Sequence, residues 1–258
     1  MNRIDQAFES DKKDILNVYF TAGYPELDDT VRIARALESA GADMIEIGIP
    51  FSDPVADGPT IQESSTKALK NGMNLKLLMK QLEELREQVT IPVLLMGYIN
   101  PILQYGFEAF CKDCERVGVD GLILPDMPLY EYEELYQEVL EQHGLYNIFL
   151  ISPQTLEDRI RKIDELSNGF VYMVSSSSIT GAKGDISAEQ VNYFNRVNSM
   201  GLKNKRLIGF GISNRETFVE ASKYADGAII GSAFIKLLSE NASDNNIKKF
   251  IQEIKGVS

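Results

Sequence analysis

The sequence predicts an α/β protein, a closed (β/α)8 barrel of the TIM-barrel type, from three observations. Eight short apolar runs alternate with charged segments of 3.6-residue periodicity. The eight units fit within 258 residues, the length of one barrel. Short strands separated by amphipathic helices imply parallel pairing, because each crossover must cover one face of the sheet. An open doubly wound sheet is the alternative. It is disfavoured because no GxGxxG follows the first strand and no composition break marks a second domain. The chain is therefore read as one barrel domain over residues 1–258.

Residues 1–10 read as an extra N-terminal amphipathic helix, with Ile4, Ala7 and Phe8 on one side. Apolar runs of strand length follow at 15–20, 44–49, 92–97, 121–124, 147–151, 169–174, 207–209 and 227–230. Helical patterns lie between them at 28–40, 61–71 with 75–88, 104–117, 130–142, 155–166, 188–200 and 214–223. After the last strand come a short helix at 232–239 and a final one at 244–255. Asp28, Thr155 and Ser213 stand where helix N-caps are expected.

Composition excludes several classes. A net charge of −12 argues against a nucleic-acid surface, which needs clustered Lys and Arg. It leaves room for a single phosphate held by backbone N–H groups. No apolar run is long enough to span a bilayer, and the first twenty residues lack the order of a signal peptide, so the expected location is the cytoplasm. Cys111 and Cys114 form a CxxC, but it falls within a helical pattern and no second pair completes a metal site. The expectation is reduced thiols on a helix, with neither metal nor cofactor. His143, the single histidine, sits at a helix end, which disfavours zinc and His-dependent triads.

In a barrel, function belongs at the C-terminal ends of the strands. The stretch 44–62, MIEIGIPFSDPVADGPTIQ, sets one acid in a buried strand and others in a proline-braced loop. Strand alternation gives Glu46 the side of Met44 and Gly48, leaving Ile45, Ile47 and Ile49 to face the helices. Glu46 then points into the lumen, where desolvation raises its pKa toward that of a neutral-pH acid/base. Asp57, in the loop above, is more solvated and expected to stay ionised. Asp53 reads as a surface acid. GFGIS, with Gly209 and Gly211, and IIGSAF, with Gly231 and Ser232, stand after the seventh and eighth strands, the recurrent phosphate site of barrels. The loop SSSSITGAKGDIS after the sixth strand, carrying Gly181, is a candidate lid. Lysines lie in helices and outer loops, and Lys183 in that loop is the one top-face candidate. Imine chemistry is therefore disfavoured against acid/base work by two carboxylates. Other phosphate-binding barrels, and a silent subunit that only activates a partner, remain as alternatives.

EIGIPFSDPVADGPTIQ, LLMGYINPI, VGVDGLILPDMP, the ITGAKG loop, GFGIS and ADGAIIGSA occur in this order over nearly the whole chain. Together they closely resemble the α chain of tryptophan synthase. The resemblance implies reversible cleavage of indole-3-glycerol phosphate to indole and glyceraldehyde 3-phosphate without cofactor or metal. It implies Glu46 as general acid/base and Asp57 as stabiliser of the indole N1–H. Phe20, Ile123, Tyr172 and Phe210 would line the indole pocket, with Met96 and Tyr98 nearby. Thr180 would touch Asp57 on lid closure, and Gly181, Gly211, Gly231 and Ser232 would hold the phosphate. Asp53, Pro54 and Asn100 would face a pyridoxal-phosphate-dependent β chain in an α2β2 tetramer that passes indole through a tunnel.

Overall fold

The computed structural model describes residues 1–9, 13–175, 187–209 and 211–257. Its parallel strands are β1 (Ile15–Thr21), β2 (Met44–Gly48), β3 (Val93–Met96), β4 (Gly121–Ile123), β5 (Tyr146–Ile148), β6 (Leu150–Ile151), β7 (Phe170–Val174), β8 (Lys205–Gly209) and β9 (Gly227–Ile230). They pair in the order β5-β4-β3-β2-β1-β9-β8-β7-β6, every ladder parallel. Both ends of that order belong to one short stretch of chain. β5 pairs with β4, β6 pairs with β7, and only Phe149 separates them. The fifth predicted strand is thus two short strands that close the barrel. The Phe149 carbonyl accepts from the Tyr172 N–H at 2.9 Å, while its ring packs edge-on against Tyr132, centroids 4.9 Å apart.

Two apolar layers result. Leu16, Val18, Ile45, Ile47, Leu95 and Val171 pack outward against the helices. Ile15, Met44, Leu94, Ile123, Ile148, Phe170, Tyr172, Leu207 and Ile229 fill the lumen. Helix α1 (Arg3–Phe8) adds Ile4 and Phe8 to the inner layer and plugs the N-terminal mouth. Asn2 donates to the Asp120 and Gly144 carbonyls at 2.8 and 3.1 Å, and Arg3 pairs with Asp120 at 2.9 Å. The lumen is therefore floored at one end, which directs any ligand to the C-terminal ends of the strands.

Several helix boundaries differ from the periodic reading. The segment 104–117 is two helices, Ile99–Tyr105 and Phe107–Val117, because Gly106 at φ +97° breaks the first. The predicted caps are also corrected. Asp28 makes no capping bond and accepts from Gln81 at 3.3 Å instead. Thr155 precedes its helix, its hydroxyl accepting from the Ser152 N–H at 2.9 Å. Ser213 is displaced by Asn214, which forms a reciprocal capping box with Thr217. Only the last of these helices is capped by a neighbouring side chain; the helices at Asp29 and Glu157 begin without a side-chain capping bond, which residue type alone does not reveal.

Candidate active site

Glu46 lies at the centre of β2, fully buried, opposite Tyr19 of β1 and Leu94 of β3. Met44 belongs to the lumen layer and Ile45, Ile47 and Ile49 to the outer layer, the division that strand parity predicts. Its Oε1 accepts from Asn17 Nδ2 at 2.5 Å, and its Oε2 has no hydrogen-bond partner among the described residues. Burial pushes the carboxyl up to about 8, the Asn17 bond pulling the other way. At neutral pH Glu46 is predominantly protonated.

Asp57 sits half-buried in the loop that follows β2. Tyr98, just beyond β3, holds that loop, accepting from the Ala56 N–H at 2.9 Å and donating to Asp57 Oδ2 at 3.3 Å. Phe51 stacks on the Tyr98 ring at 5.1 Å. Gln62 on the following helix donates to the Asp57 carbonyl at 2.8 Å. Burial raises the Asp57 carboxyl to about 6, opposed by the Tyr98 hydroxyl. Asp57 is therefore less solvated than its loop position suggests, yet still mainly ionised at pH 7. Two carboxyl groups in opposite protonation states face one apolar lumen.

The lumen aromatics require one correction. Phe20 is fully buried at the register of Ile47, within the helix-facing layer, so it does not line the lumen. Adjacent strand residues point to opposite faces, and the lumen-side aromatic of β1 is Tyr19, one residue earlier. A Cβ on Gly48 would overlap the Tyr19 hydroxyl, and a Cβ on Gly209 would overlap that of Tyr172. These two glycines leave room for tyrosines on the Glu46 side. Burial raises both hydroxyls well above their ordinary range, and the charges of Glu46 and Asp57 add to it. Ile123 and Tyr172, named by the resemblance, lie in the inner layer, and half-buried Met96 packs on it too.

Gly211 is exposed at φ +79°, a conformation that favours glycine. Gly231 caps the helix Ser232–Asn241, whose Ile235 N–H bonds the Gly231 carbonyl at 3.0 Å. The N–H groups of Ser232 and Ala233 precede that first bond, as at any helix start. Phe210, Thr180, Gly181 and Lys183, with the candidate lid, fall outside the described residues. Asp53 and Asn100 are exposed and Pro54 is buried, with Ser52 donating to Asp53 at 2.6 Å. Asn17 and Tyr19 were missed by the sequence reading. The signal for Asn17 was present, an amide in the middle of the apolar run ILNVYF.

Elsewhere, Cys111 and Cys114 are buried free thiols on the helix Phe107–Val117, their pKa values raised by burial and so poorly nucleophilic. His143 pairs with Glu115 at 2.7 Å at a helix end. Among the described residues, no cluster of side chains is suited to a metal and no helix is long and apolar enough to cross a membrane. A cavity of about 450 Å³ at the floored end carries Arg3 and Lys255, but these pair with Asp120 and Asp43.

The family described as tryptophan synthase alpha chain matches residues 6–256 of this sequence. The chain belongs to that family. The tryptophan synthase alpha chain of Flavobacterium psychrophilum is 60% identical over 98% of this chain and 100% of its own length. That of Flavobacterium johnsoniae is 58% identical over 99% and 100%. The crystal structure of tryptophan synthase subunit alpha from Legionella pneumophila superposes with a TM-score of 0.88 at 34% identity, covering 100% of both chains. A chain of the tryptophan synthase complex from Pyrococcus furiosus superposes with 0.86 at 36% identity, over 95% of this chain and 99% of that one. As a tryptophan synthase alpha chain, the protein is a carbon–carbon lyase of tryptophan biosynthesis that cleaves indole-3-glycerol phosphate.

Proposed function

We propose that Glu46 performs the proton transfers of this cleavage and that Asp57 stabilises the charge they create. Protonated Glu46 delivers its proton to indole C3, forming a C–H bond and a cationic ring with the charge at N1. The resulting carboxylate takes the proton of the side-chain hydroxyl as its carbonyl forms. The C3–carbon bond then breaks, and its electron pair returns to the ring to give neutral indole. Glu46 ends as it began, and Asp57 accepts a hydrogen bond from the cationic N1–H throughout. The observation that supports this reading is the unequal burial of the two carboxyls, Glu46 enclosed and pushed up to about 8, Asp57 half-buried and raised to about 6.

The indole ring would lie against Ile123 and Tyr172 of the inner layer and against Tyr19, which shares the Glu46 side by register, with Phe210 assigned by resemblance alone. The phosphate would rest on the N–H groups of Gly211, Gly231 and Ser232 at the start of a ten-residue helix, a placement supported by the partial positive charge of a helix N-terminus. Thr180 and Gly181 are assigned to lid and phosphate from the family pattern. Asp53, Pro54 and Asn100 are assigned to a β-chain interface, supported by the exposure of Asp53, Asn100 and, at 87%, Val55 in the same loop. That β chain carries pyridoxal phosphate in the family, and we assign an α2β2 assembly in the cytoplasm. Indole release from indole-3-glycerol phosphate, measured across pH with and without a β chain, tests the chemistry. A bell-shaped profile with limbs near about 6 and about 8 is expected. A rate independent of pH over that range would overturn the two-carboxylate assignment.

A further inference from the structure

We propose that Asn17 is the positioning residue of the Glu46 carboxyl, its amide binding Oε1 and so leaving Oε2 as the oxygen that exchanges protons with substrate. This rests on Glu46 being the acid/base. Asn17 occupies the lumen side of β1, fully buried, and its register neighbours are Met44 on β2 and Ile229 on β9. Both neighbours belong to the apolar inner layer. An amide placed there lowers stability unless it makes a specific bond. Its bond is the 2.5 Å contact from Nδ2 to Glu46 Oε1, shorter than the usual N–H···O separation.

Two atoms of the pair remain buried without partners among the described residues, Asn17 Oδ1 and Glu46 Oε2. An oxygen that accepts an amide hydrogen along that line does not carry the acid proton in the same direction. The proton of neutral Glu46 therefore resides on Oε2, the oxygen with no protein partner. When Oε2–H gives its proton to carbon, negative charge appears on a carboxylate whose other oxygen already holds a donor. When Oε2 takes the hydroxyl proton, the same bond keeps the group in place. One fixed hydrogen bond thus serves both half-reactions.

The residue type matters. A lysine or arginine at position 17 would favour the carboxylate so strongly that no acid would remain at neutral pH, and an apolar residue would leave the carboxylate with no donor. A neutral amide stabilises the ionised form without imposing it. Among the described residues, the titratable groups that feel the Glu46 charge are Tyr19 from β1 and Tyr172 from β7, and both also feel Asp57 in the loop after β2. Leu94 of β3, Ile123 of β4, Leu207 of β8 and Ile229 of β9 belong to the same inner layer and do not titrate.

The test uses Asn17→Leu and the isosteric Asn17→Asp in the full chain, assayed with a β chain present. Asn17→Leu should lower kcat roughly 10- to 100-fold, the worth of one hydrogen bond to a charged group, while KM stays within about twofold. The alkaline limb of the pH profile should move up by about one pH unit, because the donor to the ionised form is gone. Asn17→Asp, which exchanges donor for acceptor, should move that limb in the same direction and covers the case in which the leucine variant does not fold. Titration of ¹³C-labelled glutamate carboxyls, with Glu46→Gln identifying the signal, reads the same shift without activity. A Glu46 titration and alkaline limb unchanged in a folded Asn17 variant would overturn the proposal. Normal turnover by Glu46→Gln would instead overturn the assignment of Glu46, so the two failures are distinguishable.

Discussion

Glu46→Gln has two consequences that follow from one structural fact, a carboxyl held neutral by burial. The substitution keeps shape and volume but removes the exchangeable proton, so indole release should fall by about 10²- to 10⁴-fold. It should also change how stability depends on pH. In the unfolded chain Glu46 titrates near its ordinary 4.5, and in the fold near about 8. Between these values the unfolded state has released a proton that the folded state retains, so rising pH favours unfolding. At 1.36 kcal/mol per pH unit, the wild type loses about 3 kcal/mol to this group by pH 7, about 4 kcal/mol by pH 8 and about 5 kcal/mol well above it. The glutamine variant has no such loss. Its Nε2 introduces a buried donor costing about 1–3 kcal/mol, but that cost is the same at every pH. The signature is therefore the slope. Urea unfolding of both proteins at pH 5, 6, 7 and 8 should show the variant gaining on the wild type steadily, with Asp57 cancelling in the comparison. A stability difference that does not change between pH 5 and pH 8 would refute the buried, neutral Glu46 on which the chemistry depends.

Two further substitutions probe the supports. Tyr98→Phe removes the hydroxyl that donates to Asp57 at 3.3 Å and lowers its pKa. The acidic limb of the rate profile, which reports Asp57 ionisation, should move to higher pH, costing about 2- to 10-fold in rate at pH 6; an unmoved limb would show that Tyr98 does not tune Asp57. Gly48→Ala places a Cβ on the Tyr19 hydroxyl and ring edge. Overpacking of this kind costs about 1–3 kcal/mol, so thermal unfolding should occur at lower temperature and turnover should drop as Tyr19 is displaced. Wild-type stability in that variant would mean Tyr19 does not pack where it lies here.

Much of this was legible in the chain because periodicity carries it. Period-two alternation in Met44–Gly48 put Glu46 opposite the isoleucines, and the structure keeps that division. Parity assigns sides only once a strand's inner residue is known. In the first strand every residue is buried, so no polar alternation separates Tyr19 from Phe20. The register with β2, which pairs Tyr19 with Glu46 and Phe20 with Ile47, makes that choice. The helix caps failed on tertiary grounds too: Asn214 takes the place beside Ser213, while Asp28 and Thr155 accept hydrogen bonds from Gln81 and the Ser152 N–H instead of capping.

The sequence by itself determined the number of barrel units, the face on which the functional loops gather and the two acids that stand there, because these follow from local spacing and residue chemistry. The tertiary structure decided the properties of those acids. Asn17 and Glu46 are 29 positions apart, yet their 2.5 Å bond selects which carboxyl oxygen stays free. Tyr98 reaches Asp57 across 41 positions and helps hold its carboxyl near about 6. Desolvation and hydrogen bonding depend on every group packed around an atom, and strands distant in the chain supply most of those groups only once the barrel has closed.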